Sequence, residues 1–214
     1  MGEAMLARPE TKGADVATLA FNHEEIIPRQ LKPELLELDG ISRESIEAHY
    51  KLYQGYVNKR NEILGKLEGV DLSSANQVYS DFRSLKVDLT FAIGGIKNHE
   101  IYFEHLGGIG GEPAGVFSDL VKRDFGSFAD WKADLKATGM AGRGWAWTAY
   151  DWDEGRLFNY IGDAQNTFPV WGVKPVLALD VYEHAYYADF FTARAGYIDE
   201  FMNFVDWDVV NARL

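Results

Sequence analysis

The chain has 214 residues, with 33 acidic and 21 basic side chains and a formal net charge of −12 at pH 7, a length that fits one compact domain or two small ones. The acidic balance argues against a general nucleic-acid-binding protein, which needs a basic face for phosphate contacts, and no run of about 18 apolar residues is present to span a membrane. The sequence contains no cysteine, so any bound metal must be held by histidine and carboxylate.

The first predicted unit is a polar arm over residues 1–30. Charged residues occur throughout it, and it lacks the basic start and apolar block of a secretory signal, so we expect a soluble, cytoplasmic protein. Met1-Gly2 could open a myristoylation motif, but the sixth residue is Leu6 where Ser or Thr is required, which excludes that interpretation. His23 stands beside two glutamates, and we interpret it as part of a solvated arm.

A helical hairpin is predicted next, over residues 31–108. Ser42 can cap a helix, and apolar and aromatic residues then recur at helical spacing as far as Gly69. A second helical region runs from about Ser74 to Leu106 and ends at Gly107-Gly108, which is a typical helix terminus. We expect the two helices to pair as an antiparallel hairpin.

A mixed α/β unit is predicted over residues 109–214. The glycine-rich segment 107–115 favours neither helix nor strand and marks the domain boundary. The predicted fold class is therefore α+β, an N-terminal helical hairpin followed by a C-terminal α/β domain. The elements predicted after the boundary are a helix over 127–138, strands Trp145–Asp151 and Arg156–Ile161, a buried strand over Val176–Leu179, and helical structure from Glu183 onward with a pause near Ala195-Gly196.

Four histidines remain as candidate metal ligands. His49 and His99 lie on the apolar stripes of the two predicted helices, so both can face the same core. His184 follows the buried strand, and Asp180 stands four residues earlier, where the backbone turns and side chains converge. We interpret His105, near the glycine terminus of the second helix, as a cation at the surface.

Two interpretations of these side chains stay open from spacing alone. A single histidine on an apolar face is more often a core residue than a ligand. Three histidines with an acid favour a shared metal, because burying Asp180 without a cation would cost roughly several kcal/mol. Three imidazoles and one carboxylate suit Fe, Mn or Zn and leave an open position. Neither His-Glu-x-x-His nor Glu-x-x-His occurs, so we expect one mononuclear ion.

Several segments of the chain resemble the iron/manganese superoxide dismutases. They occur in the family's order from about Leu31 to Leu214, and the most specific is DVYEHAYY over Asp180–Tyr187. The other matching segments are Ser42–Val57, Asn98-His99, Gly111-Glu112-Pro113, Phe125–Phe128, Gly144–Trp147, and Ala193-Arg194 with Tyr197. The resemblance implies a three-stranded antiparallel sheet in the second domain. It also implies one metal ion between the domains, with the ligands His49, His99, Asp180 and His184.

The resemblance further implies a superoxide dismutase, which converts superoxide to dioxygen and hydrogen peroxide by redox cycling of one Mn or Fe ion. Gln165 and Tyr56 would relay protons to the bound solvent, beside a dry wall formed by Trp145 and Trp147. Glu183 would reach a ligand histidine of a second subunit, in a homodimer or homotetramer. Two alternatives stay open: a metal-binding homologue without dismutase activity that acts as a structural or partner-binding dimer, and, more remotely, a mononuclear iron oxygenase.

The chain departs from the family pattern after the first ligand. Most relatives place that histidine and the gateway tyrosine eight residues apart, across a helix bulge and a pair of histidines, whereas His49 and Tyr56 are seven apart. At about 100° per residue, seven positions make almost two turns, so an unbulged helix brings both to one face. Leu52 and Tyr53 replace the paired histidines, which is the main support for the inactive alternative. Tyr182 replaces a tryptophan.

The expected metal is inferred from the residue at position 95, which is a glycine. It stands four residues before His99, where many iron enzymes of the family carry a glutamine. We interpret the glycine as making room for Gln165, which would approach from the segment after the second strand as in many manganese enzymes. The expectation is therefore manganese in slight preference to iron. Arg194 matches an arginine near the family's entrance, and we expect it to steer superoxide inward.

Overall fold

The computed structural model describes residues 23–167 and 169–214, so most of the predicted polar arm lies outside the described residues. Within the described residues the chain forms seven α-helices and three strands, in the order α1 Arg43–Glu68, α2 Asp81–Glu104, α3 Gly115–Phe125, α4 Phe128–Ala141, β1 Trp145–Asp151, β2 Arg156–Gly162, β3 Val173–Asp180, α5 Tyr187–Phe190, α6 Arg194–Phe201 and α7 Trp207–Ala212. The predicted α+β class is confirmed. None of the described helices combines the length and apolarity that a bilayer crossing requires.

Helices α1 and α2 form the expected hairpin. The side chain of Ser42 caps α1 by accepting from the amide of Ser45, and the helix ends before Gly69, as predicted. The predicted start of α2 near Ser74 is wrong. Asn76 holds the preceding chain in a turn by accepting from two backbone amides, and Ser80 supplies the actual cap. A capping side chain satisfies amides that have no partner inside the helix, so the helix begins after it.

The sheet is antiparallel with the strand order β2-β1-β3. Strand β1 lies in the centre, pairing Trp145 with Gly162 of β2 on one side and with Asp180 of β3 on the other. Both predicted strands of the hairpin, and the buried third strand, are confirmed. Helix α2 packs against β3, so the last residue of this strand, Asp180, lies at the junction between the sheet and the helical hairpin.

Two features of the second domain differ from expectation. Helix α3 was not predicted; it is an amphipathic segment between two glycines with positive φ, Gly115 and Gly126, and it buries Phe117 and Val121. The predicted pause near Ala195-Gly196 is wrong, because both residues lie inside α6. The chain instead breaks at Phe191, whose φ of 50° is incompatible with continued helix.

One large aromatic core joins the hairpin to the second domain. Tyr102 of α2, Trp145 of β1 and Phe201 of α6 are all fully buried within it. Tyr102 stacks on Phe201 with ring centroids 5.9 Å apart and meets Trp145 edge-on at 6.4 Å. Large aromatic rings contribute most of the apolar area buried in such a core, so the two domains are held rigidly where the candidate ligands meet.

Candidate metal centre

Four ligand-type side chains converge at the junction of hairpin and sheet. His49 comes from α1, His99 from α2, Asp180 from the end of β3, and His184 from the 3₁₀ turn Glu183–Ala185 that follows. Each offers one nitrogen or oxygen, and these four atoms all lie within 4.8 Å of one another. The four residues predicted to share a metal are therefore brought together by four separate elements.

The carboxylate of Asp180 lies at the centre of the group. Its Oδ2 is 3.1 Å from Nε2 of His49 and 3.2 Å from Nε2 of His184. His99 Nε2 is farther away, at 3.7 Å, which is beyond hydrogen-bonding distance. His49, His99 and Asp180 are at most 2% exposed, whereas the side chain of His184 is 27% exposed and forms the solvent side of the centre.

The imidazole of His99 shows what the group can bind. Its Nδ1 lies 2.6 Å from the carbonyl oxygen of Gly95, and a carbonyl can only accept, so Nδ1 carries the proton. Nε2 then presents a lone pair toward the other three side chains, and it is buried with no hydrogen-bond partner among the described residues. A buried, unpaired lone pair aimed at two imidazoles and a carboxylate fits a metal cation.

The protonation states of His49, His99 and Asp180 also match those of metal ligands. Burial lowers the pKa of His99 to about 3, and burial likewise lowers the pKa of His49, so both rings are neutral. Burial opposes ionisation of Asp180, but His184 and His49 outweigh it and hold the pKa of the carboxyl below its ordinary value. Burial opposes protonation of His184, but Asp180 outweighs it and raises the pKa of His184, so a bound metal would replace the proton on that ring. The group therefore offers two neutral imidazoles, His49 and His99, and an ionised carboxylate, the forms in which these side chains bind metal.

Gln165 is buried beside the centre and held from three directions. Trp145 Nε1 donates to its Oε1 at 3.1 Å, and Asn98 Nδ2 donates to its backbone carbonyl at 3.2 Å and to Oε1 at 3.3 Å. Its own Nε2 donates to the hydroxyl of Tyr56 at 3.4 Å. The part played by Asn98 was missed in the sequence, although its position next to His99 offered a signal.

Two adjacent glycines of α2 make room for this network, in a way that differs from expectation. A Cβ on Gly95 would lie 2.6 Å from the ring of Tyr56, so this glycine accommodates the tyrosine. Gly94 is the one that accommodates Gln165, because a Cβ there would lie 2.0 Å from the backbone carbonyl oxygen of Gln165. The expectation that Gly95 makes room for Gln165 is therefore wrong by one residue, because Gly94 has that role.

Aromatic rings enclose the centre. Trp145 meets His99 edge-on with ring centroids 5.2 Å apart, and Trp147 stacks on Trp145 at 6.1 Å. On the solvent side Tyr182 stacks on His184 at 5.2 Å. Because these rings exclude water, hydrogen bonds and charges at the centre act in a low dielectric.

The first helix is unbulged, as the seven-residue spacing predicts. All of Arg43–Glu68 is α-helical, and the rings of His49 and Tyr56 both contact His99, with centroids 5.0 and 5.4 Å apart. Tyr53, one of the residues that replace the histidine pair, turns inward and donates from its hydroxyl to Glu100 at 2.9 Å. Helix α1 therefore supplies its functional side chains without a local distortion.

The interpretation of His105 as a surface cation is wrong. Its side chain is fully buried, with Nε2 3.0 Å from both the nitrogen and the oxygen of Ala178, and burial lowers its pKa to about 3. The end of α2 packs against the edge of β3, so His105 does not lie in solvent although a glycine segment follows it. His23 is likewise not solvated: its Nδ1 lies 3.0 Å from Glu68 at the end of α1.

Arg194 is more constrained than a steering cation needs to be. Its guanidinium donates to the carbonyl of Gly142 at 2.7 Å and to the hydroxyl of Tyr186 at 3.2 Å. The bond to Gly142, the C-cap of α4, ties the start of α6 to the end of α4. Steering of superoxide by Arg194 stays a prediction.

Comparisons with known proteins agree along the chain. The family model for the alpha-hairpin domain of iron/manganese superoxide dismutases matches residues 31–107, and the model for their C-terminal domain matches residues 113–213. "Superoxide dismutase [Fe]" of Aquifex pyrophilus is 45% identical over 188 residues, which covers 86% of this chain and 87% of that protein. "Superoxide dismutase [Mn] 1" of Halobacterium salinarum is 34% identical over 173 residues, covering 78% and 84%.

Proposed function

The chain belongs to the iron/manganese superoxide dismutase family, and from that premise we propose that His49, His99, Asp180 and His184 hold its single Mn or Fe ion. The family and its dismutase-named relatives make the chain an enzyme that converts superoxide to dioxygen and hydrogen peroxide. The observation that carries the ligand assignment is the buried, unpaired Nε2 of His99, aimed at the other three donors. The comparisons give the inactive-homologue alternative no support.

Proton supply is the task of the protein's own residues. A bound Mn or Fe ion supplies one-electron redox chemistry, and forming hydrogen peroxide from superoxide also consumes two protons. Burial raises the pKa of Tyr56, so its hydroxyl keeps its proton at neutral pH. Gln165 Nε2 donates to that hydroxyl, and both side chains border the ligand group. We propose that Gln165 and Tyr56 form the relay through which protons reach the reacting oxygen atoms.

A pair of neighbouring variants tests the relay. Gln165→Ala removes the amide that joins Trp145, Asn98 and Tyr56, and we expect turnover to fall by about 100-fold while the metal content stays unchanged. Asn166→Ala is the control, because that side chain donates to Thr90 at the surface, at 2.8 Å. Equal turnover of the two variants, measured with quantified metal, would contradict the relay.

We propose manganese as the ion that supports the higher turnover. Gln165 approaches from the segment after β2, and a donor from that side tunes the reduction potential of the ion without changing its ligands. Iron is the second candidate, because the two Aquifex relatives are named for iron. Reconstitution of the apo-protein with each metal separately decides between them. Full turnover with iron and none with manganese would contradict this proposal.

We also propose that the enzyme is a homodimer at minimum. Glu183 is exposed next to a proposed ligand, and Tyr187 and Phe191 form an exposed aromatic pair with ring centroids 6.0 Å apart, at 47% and 67% exposure. Large exposed aromatic side chains beside a site are typical of an interface, and a two-fold axis is the commonest way to close an assembly. Sedimentation velocity at micromolar concentration should give a dimer or tetramer; a monomer would contradict the proposal.

A further inference from the structure

One buried imidazole covers the outer edge of β3 at Ala178. An edge strand leaves a row of backbone N–H and C=O groups unpaired, and burial makes such groups costly. At Ala178 both groups face His105, whose Nε2 lies 3.0 Å from the nitrogen and 3.0 Å from the oxygen. A neutral imidazole nitrogen either donates or accepts, so the ring makes one of these two bonds at a time.

This contact joins the two elements that carry the proposed ligands His99 and Asp180. His105 is the C-cap of α2, six residues after His99. Ala178 lies in β3, two residues before Asp180. Hairpin and sheet each supply part of the ligand group, and the imidazole bonds one directly to the other. Along the chain, His105 is less than two helical turns from His99, and Ala178 is one strand repeat of two residues from Asp180.

The imidazole is fixed in place from several sides. Its side chain has no exposed surface, and the ring packs edge-on against Phe201 and Tyr102, with centroids 5.7 and 6.3 Å apart. The backbone carbonyl of His105 accepts from the amide of Asp206 at 2.7 Å. Nδ1 has no hydrogen-bond partner among the described residues, so the polar contact of the ring is the one that Nε2 makes with Ala178. A ring packed in this way transmits a fixed distance from α2 to β3, which a mobile surface side chain could not do.

We propose that His105 is a positioning residue of the metal centre: its bond to Ala178 fixes α2 against β3 and so sets the separation of His99 from Asp180. The inference rests on the proposed ligand set. Metal ligands must be held in narrow geometry, and loss of a supporting hydrogen bond typically weakens metal binding 10- to 100-fold. A histidine that merely filled the core would affect folding stability without affecting the ion specifically.

Three variants of the metal-loaded enzyme separate these roles. His105→Leu fills the volume but removes the bond. His105→Gln keeps an amide near the position of Nε2. Val121→Ala is the control, because it truncates a buried side chain of α3, whose helix packs on α4, β2 and α7 away from the centre. Metal release into excess EDTA is followed by atomic absorption, well below the melting temperature of each variant.

We expect His105→Leu to release metal about tenfold faster than wild type, with a shifted visible absorption band of the trivalent ion. His105→Gln should restore slow release, and Val121→Ala should lower the melting temperature without accelerating release. Equal release from His105→Leu and Val121→Ala at matched stability would overturn the proposal, as would fast release from folded His105→Gln. If His105→Leu does not fold, His105→Asn, whose shorter amide ends before Ala178, replaces it in the same comparison.

Different results would contradict the positioning role of His105 and the proposed ligand set. Wild-type protein that releases metal as fast as His99→Ala would contradict the ligand set itself. Wild-type protein that retains metal, together with His105→Leu that retains it equally well, would contradict the positioning role alone.

Discussion

Replacing Gly94 by alanine tests whether the close approach of α2 to the Gln165 segment matters for both stability and turnover. Alanine is favoured over glycine in a helix interior by about 1 kcal/mol, so propensity alone predicts a more stable protein. At Gly94, however, the added Cβ would lie 2.0 Å from the backbone oxygen of Gln165 and 2.8 Å from its carbonyl carbon. The obstacle is backbone, so the segment as a whole must move.

The cost of overpacking and the gain in helix propensity together set the expected change in the free energy of unfolding. Overpacking a well-packed interior costs about 1–3 kcal/mol, which offsets or exceeds the gain of about 1 kcal/mol from helix propensity. We therefore expect Gly94→Ala to destabilise the protein by up to about 2 kcal/mol. Displacing the Gln165 segment also lengthens the bonds that Asn98 and Tyr56 make with it, and a misplacement of about 1 Å can lower turnover about 100-fold.

Gly65 of α1 provides the matched control. It is also a helix-interior glycine, and no atom lies within 4 Å of a Cβ built on it. Gly65→Ala should therefore stabilise the protein by about 1 kcal/mol and leave turnover unchanged. Urea unfolding and a superoxide assay with quantified metal measure both quantities. If Gly94→Ala were as stable and as active as Gly65→Ala, the close packing described for Gly94 would be refuted.

Three further perturbations have defined outcomes. His99→Ala should bind metal about 100-fold more weakly or worse; equal metal content of variant and wild type after dialysis against chelator would contradict the assignment. Arg194→Glu should lower turnover about tenfold at low ionic strength and less in high salt, so unchanged turnover would end the steering hypothesis. The pKa of His105 is about 3 in the folded protein, lowered from 6.5 by burial and further by Arg213 and Lys32, so the unfolded chain takes up a proton first as pH falls. From this group alone, stability should be fully present above pH 6.5 and fall by about 1.4 kcal/mol per pH unit toward pH 3; a difference in unfolding free energy between wild type and His105→Leu that is independent of pH would contradict it.

Local signals identified the elements that carry the ligands. Helix α1 could be bounded because a cap and a glycine lie at its ends, Ser42 and Gly69. The strand that ends in Asp180 could be recognised because its apolar run is short and bounded. These are properties of neighbouring residues, so they are visible in the sequence. The domain boundary near residue 108 stays a prediction.

The details that escaped the sequence depend on distant partners. Helix α3 has only eleven residues, the first of them a glycine, and its burial depends on packing against helices and strands far away in the chain. The burial of His105 depends on β3, more than seventy residues later. Gly94, rather than Gly95, packs against Gln165 because of the path of the loop after β2. Helical spacing does not show that path. Helix spacing placed His49 and His99 on the apolar faces of their two helices, but long-range packing decided the supporting contacts of the ligands.

The most direct test of the account is the rate of superoxide removal as a function of bound metal per chain. Apo-protein is loaded stepwise with Mn or Fe, and each sample is assayed after its metal content has been quantified. Activity should rise in proportion to bound ion and saturate at about one ion per chain, as one mononuclear centre requires. Full occupancy without superoxide removal, or activity that keeps rising well beyond one ion per chain, would contradict it.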